Sequence, residues 1–193
     1  MLERELRELT FVPRWSVLRR NRTQSVAEHS YYVTVYALQL AHAAGWKGDQ
    51  ANLMKAALVH DLPEAATSDI PGPAKRAIAD DSRVTRVESD YISLRFPDHL
   101  EAWRTSKQEG DIRSLIKAAD LIDELVYLQT EKQLGNSSVG HFYKPTTPMG
   151  NSYSRLKRVW TESSLLNDSG IWEDVFKAIQ ANGEGHFSNI LID

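Results

Sequence analysis

Four residues of this chain have side chains suited to holding a divalent metal: His29 in "VAEHS", the adjacent pair His60-Asp61 in "AALVHDLPEA", and Asp120 in "KAADLID". Neutral imidazole and ionised carboxylate are the donors that bind Zn²⁺, Mn²⁺, Co²⁺ or Fe. Such a donor set leaves coordination positions open to water and substrate, which catalysis requires. The chemistry open to it is metal-assisted hydrolysis. Three of the four residues also have an ordinary structural explanation. A lone histidine on an apolar helix face, as at His29 or His60, is commonly a satisfied core residue. Asp61 could cap a segment starting at Pro63. Asp120 resists that treatment. It follows Ile116 by four residues, so it falls on or beside a buried helix face, where an unpaired carboxylate is costly. Inward positions for all four point to one shared purpose.

The elements that must position these residues read as helices. Val26, His29, Val33, Ala37, Leu40 and Ala44 recur at three- and four-residue steps over 26–44, and Gly45 ends that helix. Leu53, Ala56, Ala57 and His60 share a face over 50–61. Pro63 cannot continue that helix undisturbed, so a break falls near 61–63. "SDIPGPAK" at 68–75 reads as a loop. Segments 81–96 and 98–109 read as an outer helical pair. Asp111 is expected to cap a helix running to about 134, with Ile112, Leu115, Ile116, Ala119 and Val126 inward. A long polar loop over 135–150 precedes two amphipathic helices near 151–166 and 170–181. The tail from Asn182 is expected to be loose or to pack on a partner. No segment alternates convincingly as a strand. The expectation is an all-α single domain, with the metal core in about 14–134 and the late helices over about 151–181.

Composition narrows the function classes. The chain has 193 residues, 41% of them hydrophobic, enough for a packed core in one domain. A net charge of −3 disfavours a protein that coats nucleic acid, and no stable nucleic-acid partner is expected. With no cysteine, thiolate zinc sites and cysteine nucleophiles are excluded, so any metal must rest on His, Asp and Glu. "MLERELRELT" lacks the apolar stretch of a signal peptide and no run approaches a membrane span, so a cytoplasmic protein without a membrane partner is expected. Arg14, Arg19, Arg20 and Arg22 fall in a stretch with no acidic residue from 14 to 27, in a chain that is acidic overall. Such a stretch is either a solvated loop or an electropositive wall facing an anion. Trp15, taken alone, reads as an anchor between the N-terminal segment and the helix at 26–44. His42 falls on the face opposite His29, and His99, His141 and His186 stand in loop or end contexts. There is no phosphate-binding glycine-lysine loop.

The segments "RWSVLRRNRTQSVAEHS" (14–30), "ALVHDLPEAATSDIPGPAK" (57–75) and "IKAADLIDELVYL" (116–128), in that order, resemble the HD-domain phosphohydrolases. The likeness is to the subgroup that holds the bacterial 5′-deoxynucleotidases and the phage-type dATP triphosphohydrolases. It implies an all-α HD-domain helical bundle in which His29, His60, Asp61 and Asp120 bind a divalent metal (Zn, Co, Mn or Mg). It also implies that Glu64 orients or deprotonates the attacking water, and that Asp69 sits near the sugar or a second metal. Arg14 would touch phosphate, and Trp15 would lie on the deoxyribose and hinder a 2′-hydroxyl.

Around that core, Val17 is a candidate wall of the base pocket, and Arg19, Lys75 and Lys117 are candidate phosphate ligands. Monophosphatases of this type usually carry Pro-Leu after Arg-Trp and an acidic residue after "RT". Here Ser16-Val17 and Gln24 stand instead, and Arg20 adds charge. The extra positive charge favours a deoxynucleoside triphosphate, with the monophosphate as the alternative. A slow nucleotide sensor is a third reading, which the intact Glu64 opposes. The late amphipathic helices and the apolar-tipped tail "HFSNILID" lead us to expect a homo-oligomer.

Overall fold

The computed structural model describes residues 4–71, 74, 82–108, 110–140 and 152–181. Among these the architecture is helical, as expected. The helices are α1 (Val26–Ala43), α2 (Gln50–Val59), α3 (Glu64–Thr67), α4 (Ser82–Arg95), α5 (Leu100–Lys107), α6 (Asp111–Gln133), α7 (Ser152–Glu162), α8 (Ser164–Asp168) and α9 (Trp172–Ala181), with 3-10 turns at Arg4–Phe11, Pro97–His99 and Ser137–Val139. No described helix is long and apolar enough to cross a membrane.

Local sequence sets the helix ends. Ser25 caps α1 by accepting from the Glu28 N–H, and Asp49 caps α2 by accepting from Ala51 and Asn52. Gly45, at φ 66°, takes the left-handed position that closes α1. The break before Pro63 falls where expected. Helix α2 gives way after Val59 to a turn in which Leu62 donates to Val59 and Glu64 to Asp61. That turn lifts His60 and Asp61 off the helix and presents them side by side.

Two expectations need correction. Asp111 does not cap α6. Gly110 holds the cap position at φ 135°, and the Asp111 carboxylate instead accepts from the Trp46 indole at 3.2 Å. The single helix expected over 151–166 is two. Ser163 leaves helical geometry and caps α8 through the Leu166 N–H. The tail from Asn182 and most of the 135–150 loop lie outside the described residues.

The core has two parts. The larger is built on α1, α2, α6 and the late helices, and includes Val33, Ala37, Leu53, Leu115, Leu121, Leu125, Leu156 and Leu166. The smaller gathers Leu9, Val26, Leu62, Ile92, Phe96 and Trp103. Each fully buried aliphatic side chain contributes about 1.5–3 kcal/mol through removal from water. On α1, Val26 belongs to the smaller cluster and Val33 to the larger. His29 lies between them, so the chemistry sits at the seam of the two.

A short antiparallel bridge joins Pro13 and Ser25. Val26 donates to the Val12 carbonyl and Arg14 donates to Gln24, both at 2.9 Å. The bridge closes the base of the arginine-rich loop over 14–24 and places Arg14 at the foot of α1, close to His29.

Candidate metal centre and active site

Helix α1 supplies His29, the end of α2 supplies His60, and the middle of α6 supplies Asp120. Their donor atoms lie within 4.8 Å of one another. Asp61 borders the set, with Oδ2 at 3.2 Å from His60 Nε2 and 3.6 Å from His29 Nε2. Asp120 Oδ1 lies 3.5 Å from His29 Nε2. The four residues read from the sequence therefore converge.

Hydrogen bonds orient both imidazoles. His29 Nδ1 meets Asp123 Oδ2 at 2.6 Å, and His60 Nδ1 donates to the Ala57 carbonyl at 2.7 Å. With each Nδ1 engaged, each Nε2 turns toward the carboxylates. Both Nε2 atoms are buried and make no hydrogen bond of acceptable geometry. Two buried nitrogen donors beside two carboxylates is an arrangement that costs free energy unless a cation sits among them. The donor set fits a divalent ion such as zinc or its neighbours.

Electrostatics point the same way. Burial pushes Asp61 up, but His60, Lys107 and His29 outweigh it and hold the carboxyl well below the usual range. Burial likewise opposes charge on Asp120, yet Lys117, His29 and Arg14 hold it well below its ordinary value. Burial and Arg14 oppose charge on His29, and the carboxylates of Asp120 and Asp123 overcome them to raise its pKa. The carboxylates that raise the His29 pKa are also the groups that would attract a metal cation.

Arg14 is buried beside this cluster, with Nη1 at 3.6 Å from Asp61 and Nη2 at 4.0 Å from Asp120. Burial opposes its charge, and Asp120, Asp61, Asp69 and Glu64 together outweigh it. Glu64 is buried at the first turn of α3 and belongs to the same electrostatic neighbourhood. Asp69 accepts the Trp15 backbone N–H at 3.2 Å. Trp15 takes φ 61°, a left-handed conformation that side chains other than glycine rarely adopt. The Asp69 bond and a parallel stack on Tyr127, with centroids 5.4 Å apart, hold it there. A strained tryptophan fixed beside a buried charged cluster is a feature of binding sites.

The remaining candidates are not gathered in the same way. Val17 is 69% exposed. The Arg19 side chain is exposed, and its carbonyl accepts from Asn136. Lys117 is half exposed and its Nζ contacts Asp120 Oδ2 at 2.6 Å. Lys75 lies outside the described residues. Sequence reasoning missed Asp123 and Gln24. Gln24 is buried and donates its Nε2 to Asp123 Oδ2 at 2.9 Å, the same oxygen that meets His29. The one available signal for Asp123 is its place three residues after Asp120, one turn along the inward face of α6.

Comparison with known proteins bears on the family and the fold. A dATP triphosphohydrolase of Salmonella phage PMBT28 is 29% identical over 136 residues, covering 66% of this chain and 66% of that protein, so the chain spans just under two thirds of its length. The 5′-deoxynucleotidase YfbR of Salmonella paratyphi B is 28% identical over 153 residues, covering 70% of this chain and 74% of that one. Among solved structures, the cyanophage S-2L HD phosphohydrolase DatZ, bound to dA and one catalytic Zn²⁺ ion, matches with a TM-score of 0.70 at 20% identity over 93% of this chain and 97% of that chain. At that identity the structural match speaks to the fold. The HD domain family matches residues 6–143, most of the chain, and this protein belongs to that family.

Proposed function

We propose that this protein hydrolyses 2′-deoxynucleotides at the α-phosphorus in a divalent-metal-dependent reaction that releases the deoxynucleoside. We further propose a deoxynucleoside triphosphate as its substrate, with intact triphosphate as the second product. The observation that carries the reading is the convergence of His29, His60 and Asp120 with Asp61 at a site where Arg14 reaches both carboxylates. The deoxynucleotide class is supported by the phage and Salmonella relatives and by the dA bound in the cyanophage protein.

His29, His60, Asp61 and Asp120 would hold the metal. A metal there supplies Lewis acidity to the phosphoryl oxygens and makes water a stronger nucleophile. Zinc is the first ion to test, because the cyanophage protein holds it. Glu64 accepts the proton of the attacking water, a task suited to a carboxylate that the metal does not need as a ligand. Arg14 turns its guanidinium from Asp61 and Asp120 to the incoming phosphate and offsets the charge that develops on its oxygens. Trp15, locked by Asp69 and Tyr127, lies on the sugar and fills the volume of a 2′-hydroxyl. Asp69 acts here through the Trp15 backbone.

The triphosphate reading draws on the surplus of arginine in the 14–24 loop and on the phage relative. A specific observation favours the monophosphate instead. Arg22 pairs with Glu28, Lys117 with Asp120, and Arg20 donates to the Arg14 carbonyl at 2.8 Å, so three of the surplus cations already have partners. Chromatography of products from dATP and dAMP, with Zn²⁺, Co²⁺, Mn²⁺ or Mg²⁺ added, separates the two. Deoxyadenosine plus triphosphate from dATP supports the proposal. Orthophosphate from dAMP with dATP untouched moves the assignment to the nucleotidase. Turnover of neither removes the deoxynucleotide reading.

A further inference from the structure

Away from the metal centre, near the C-terminal end of α6, stands a carboxylate that the mechanism above does not use. Glu131 has no exposed surface. It contacts no cation within ion-pair distance among the described residues. Its partners are main-chain groups more than a hundred residues earlier: Oε2 accepts the Asn21 N–H and Oε1 the Arg22 N–H, both at 2.7 Å. The Asn136 side chain completes the set, donating to Glu131 Oε2 and to the Arg19 carbonyl, both at 2.7 Å. Asn21 Nδ2 donates to the Leu134 carbonyl at 2.9 Å, and the Tyr127 hydroxyl donates to the Arg22 carbonyl. Burial alone would push the Glu131 carboxyl up, but the Asn136 amide, the two N–H groups and the charge of Arg20 hold it below its ordinary value.

Apart from the Asn136–Glu131 bond, all these contacts land on residues 19–22. That stretch is the outer limb of the loop whose inner limb carries Arg14 and Trp15, and the bridge at Pro13 and Ser25 closes its base. Arg20 ties the limbs together by donating to the Arg14 carbonyl. Trp15 stacks on Tyr127, one turn before Glu131 on the same helix. We infer that Glu131 is a positioning residue for substrate binding, clamping residues 19–22 onto α6 so that the backbone carrying Arg14 and Trp15 is held in one arrangement before substrate arrives.

The inference rests on the proposed role of Arg14 and Trp15. Its kinetic consequence differs from that of a residue serving stability alone. When a clamp is lost, the competent loop is populated only part of the time, and apparent affinity falls by that fraction while the bound complex reacts as before. A loss of folded protein would instead lower the rate at saturation and leave KM unchanged. Both carboxylate oxygens accept from N–H donors, so an amide at this position must turn its own NH₂ toward one of them. Glu131→Gln is therefore disruptive despite its shape.

The test measures KM and kcat on dATP and on dAMP for the metal-loaded wild type, Glu131→Gln and Asn136→Ala, with bound metal quantified. Limited trypsin digestion then follows cleavage after Arg19, Arg20 and Arg22. We expect KM to rise about tenfold or more in Glu131→Gln and less in Asn136→Ala, with metal content and kcat held within about threefold. Tryptic cleavage in the loop should accelerate in the same order. Unchanged KM with slowed kcat, or loop cleavage no faster than wild type, overturns the clamp. If the wild type turns over neither nucleotide, the functional reading fails, and the digestion alone decides whether Glu131 holds the loop. If Glu131→Gln does not fold, the same two measurements on Asn136→Ala decide the matter.

Discussion

The shortest contact of His29 is not with a metal-ligand candidate. It is the 2.6 Å hydrogen bond from its Nδ1 to Asp123 Oδ2. Because the Gln24 amide nitrogen also donates to that oxygen, Asp123 serves as acceptor to both, and the proton rests on His29 Nδ1. The lone pair of Nε2 is then fixed toward Asp61 and Asp120. Loss of such a supporting carboxylate typically weakens metal binding by about 10–100-fold. Asp123→Asn should show a loss of that size in chelator competition, with the helical signal retained. Affinity within about twofold of wild type would remove Asp123 from the site's support.

Glu64 is buried next to the metal-ligand candidates. Glu64→Ala should keep metal and nucleotide binding while kcat falls by about a hundredfold or more, the usual contribution of a positioned base. Metal analysis and nucleotide titration alongside turnover check this. Unchanged turnover would take Glu64 out of the mechanism.

The sequence made the candidate metal site legible because residues grouped at one site must face inward, and inward facing leaves a periodic trace. Val26, His29, Val33 and Ala37 mark one face of α1, and the proline at 63 marks the break that presents His60-Asp61. Supporting residues leave a weaker trace. Asp123 reads as one more acid in "LIDEL" and Glu131 as a surface charge in "QTEKQ", because their partners are a ring nitrogen and main-chain N–H groups that no spacing encodes. The break at Ser163 was hidden because the apolar pattern runs through it. Val17 reads as a base-pocket wall because it is stiff and β-branched, and Arg19 as a phosphate ligand because of its charge in an acid-free stretch. The loop turns their side chains outward.

The pH dependence of metal binding follows from the site's charges. The pKa of His29 is raised, so its charged form stabilises the metal-free fold below the ordinary histidine value, and that contribution is lost as pH rises through the raised value. The pKa values of Asp61 and Asp120 are depressed, so their contribution is present above the ordinary carboxylate range and lost only as pH falls through their folded values. Metal needs His29 neutral, so binding releases a proton. The difference in Tm between metal-loaded and metal-free protein should therefore widen from about pH 6 to about pH 8. A difference that stays flat or narrows would contradict the assignment of His29 as a ligand.

Trp15 is fixed by the Asp69 bond and the Tyr127 stack. A deoxynucleotide should be cleaved far faster than the matching ribonucleotide, and Trp15→Ala should narrow that gap by about tenfold, the scale of one steric exclusion in a packed pocket. Paired kcat/KM values on the two sugars measure it. Equal rates on both sugars in the wild type would refute this role.

The most direct test of the whole account is the metal content of purified protein with His60 or Asp61 replaced by alanine. If these two adjacent residues anchor the ion with His29 and Asp120, the wild type should carry about one divalent metal per chain, as a single four-donor site holds. Both variants should lose it together with activity, while their circular dichroism remains helical. Full metal occupancy in both variants would place the metal elsewhere and contradict the account.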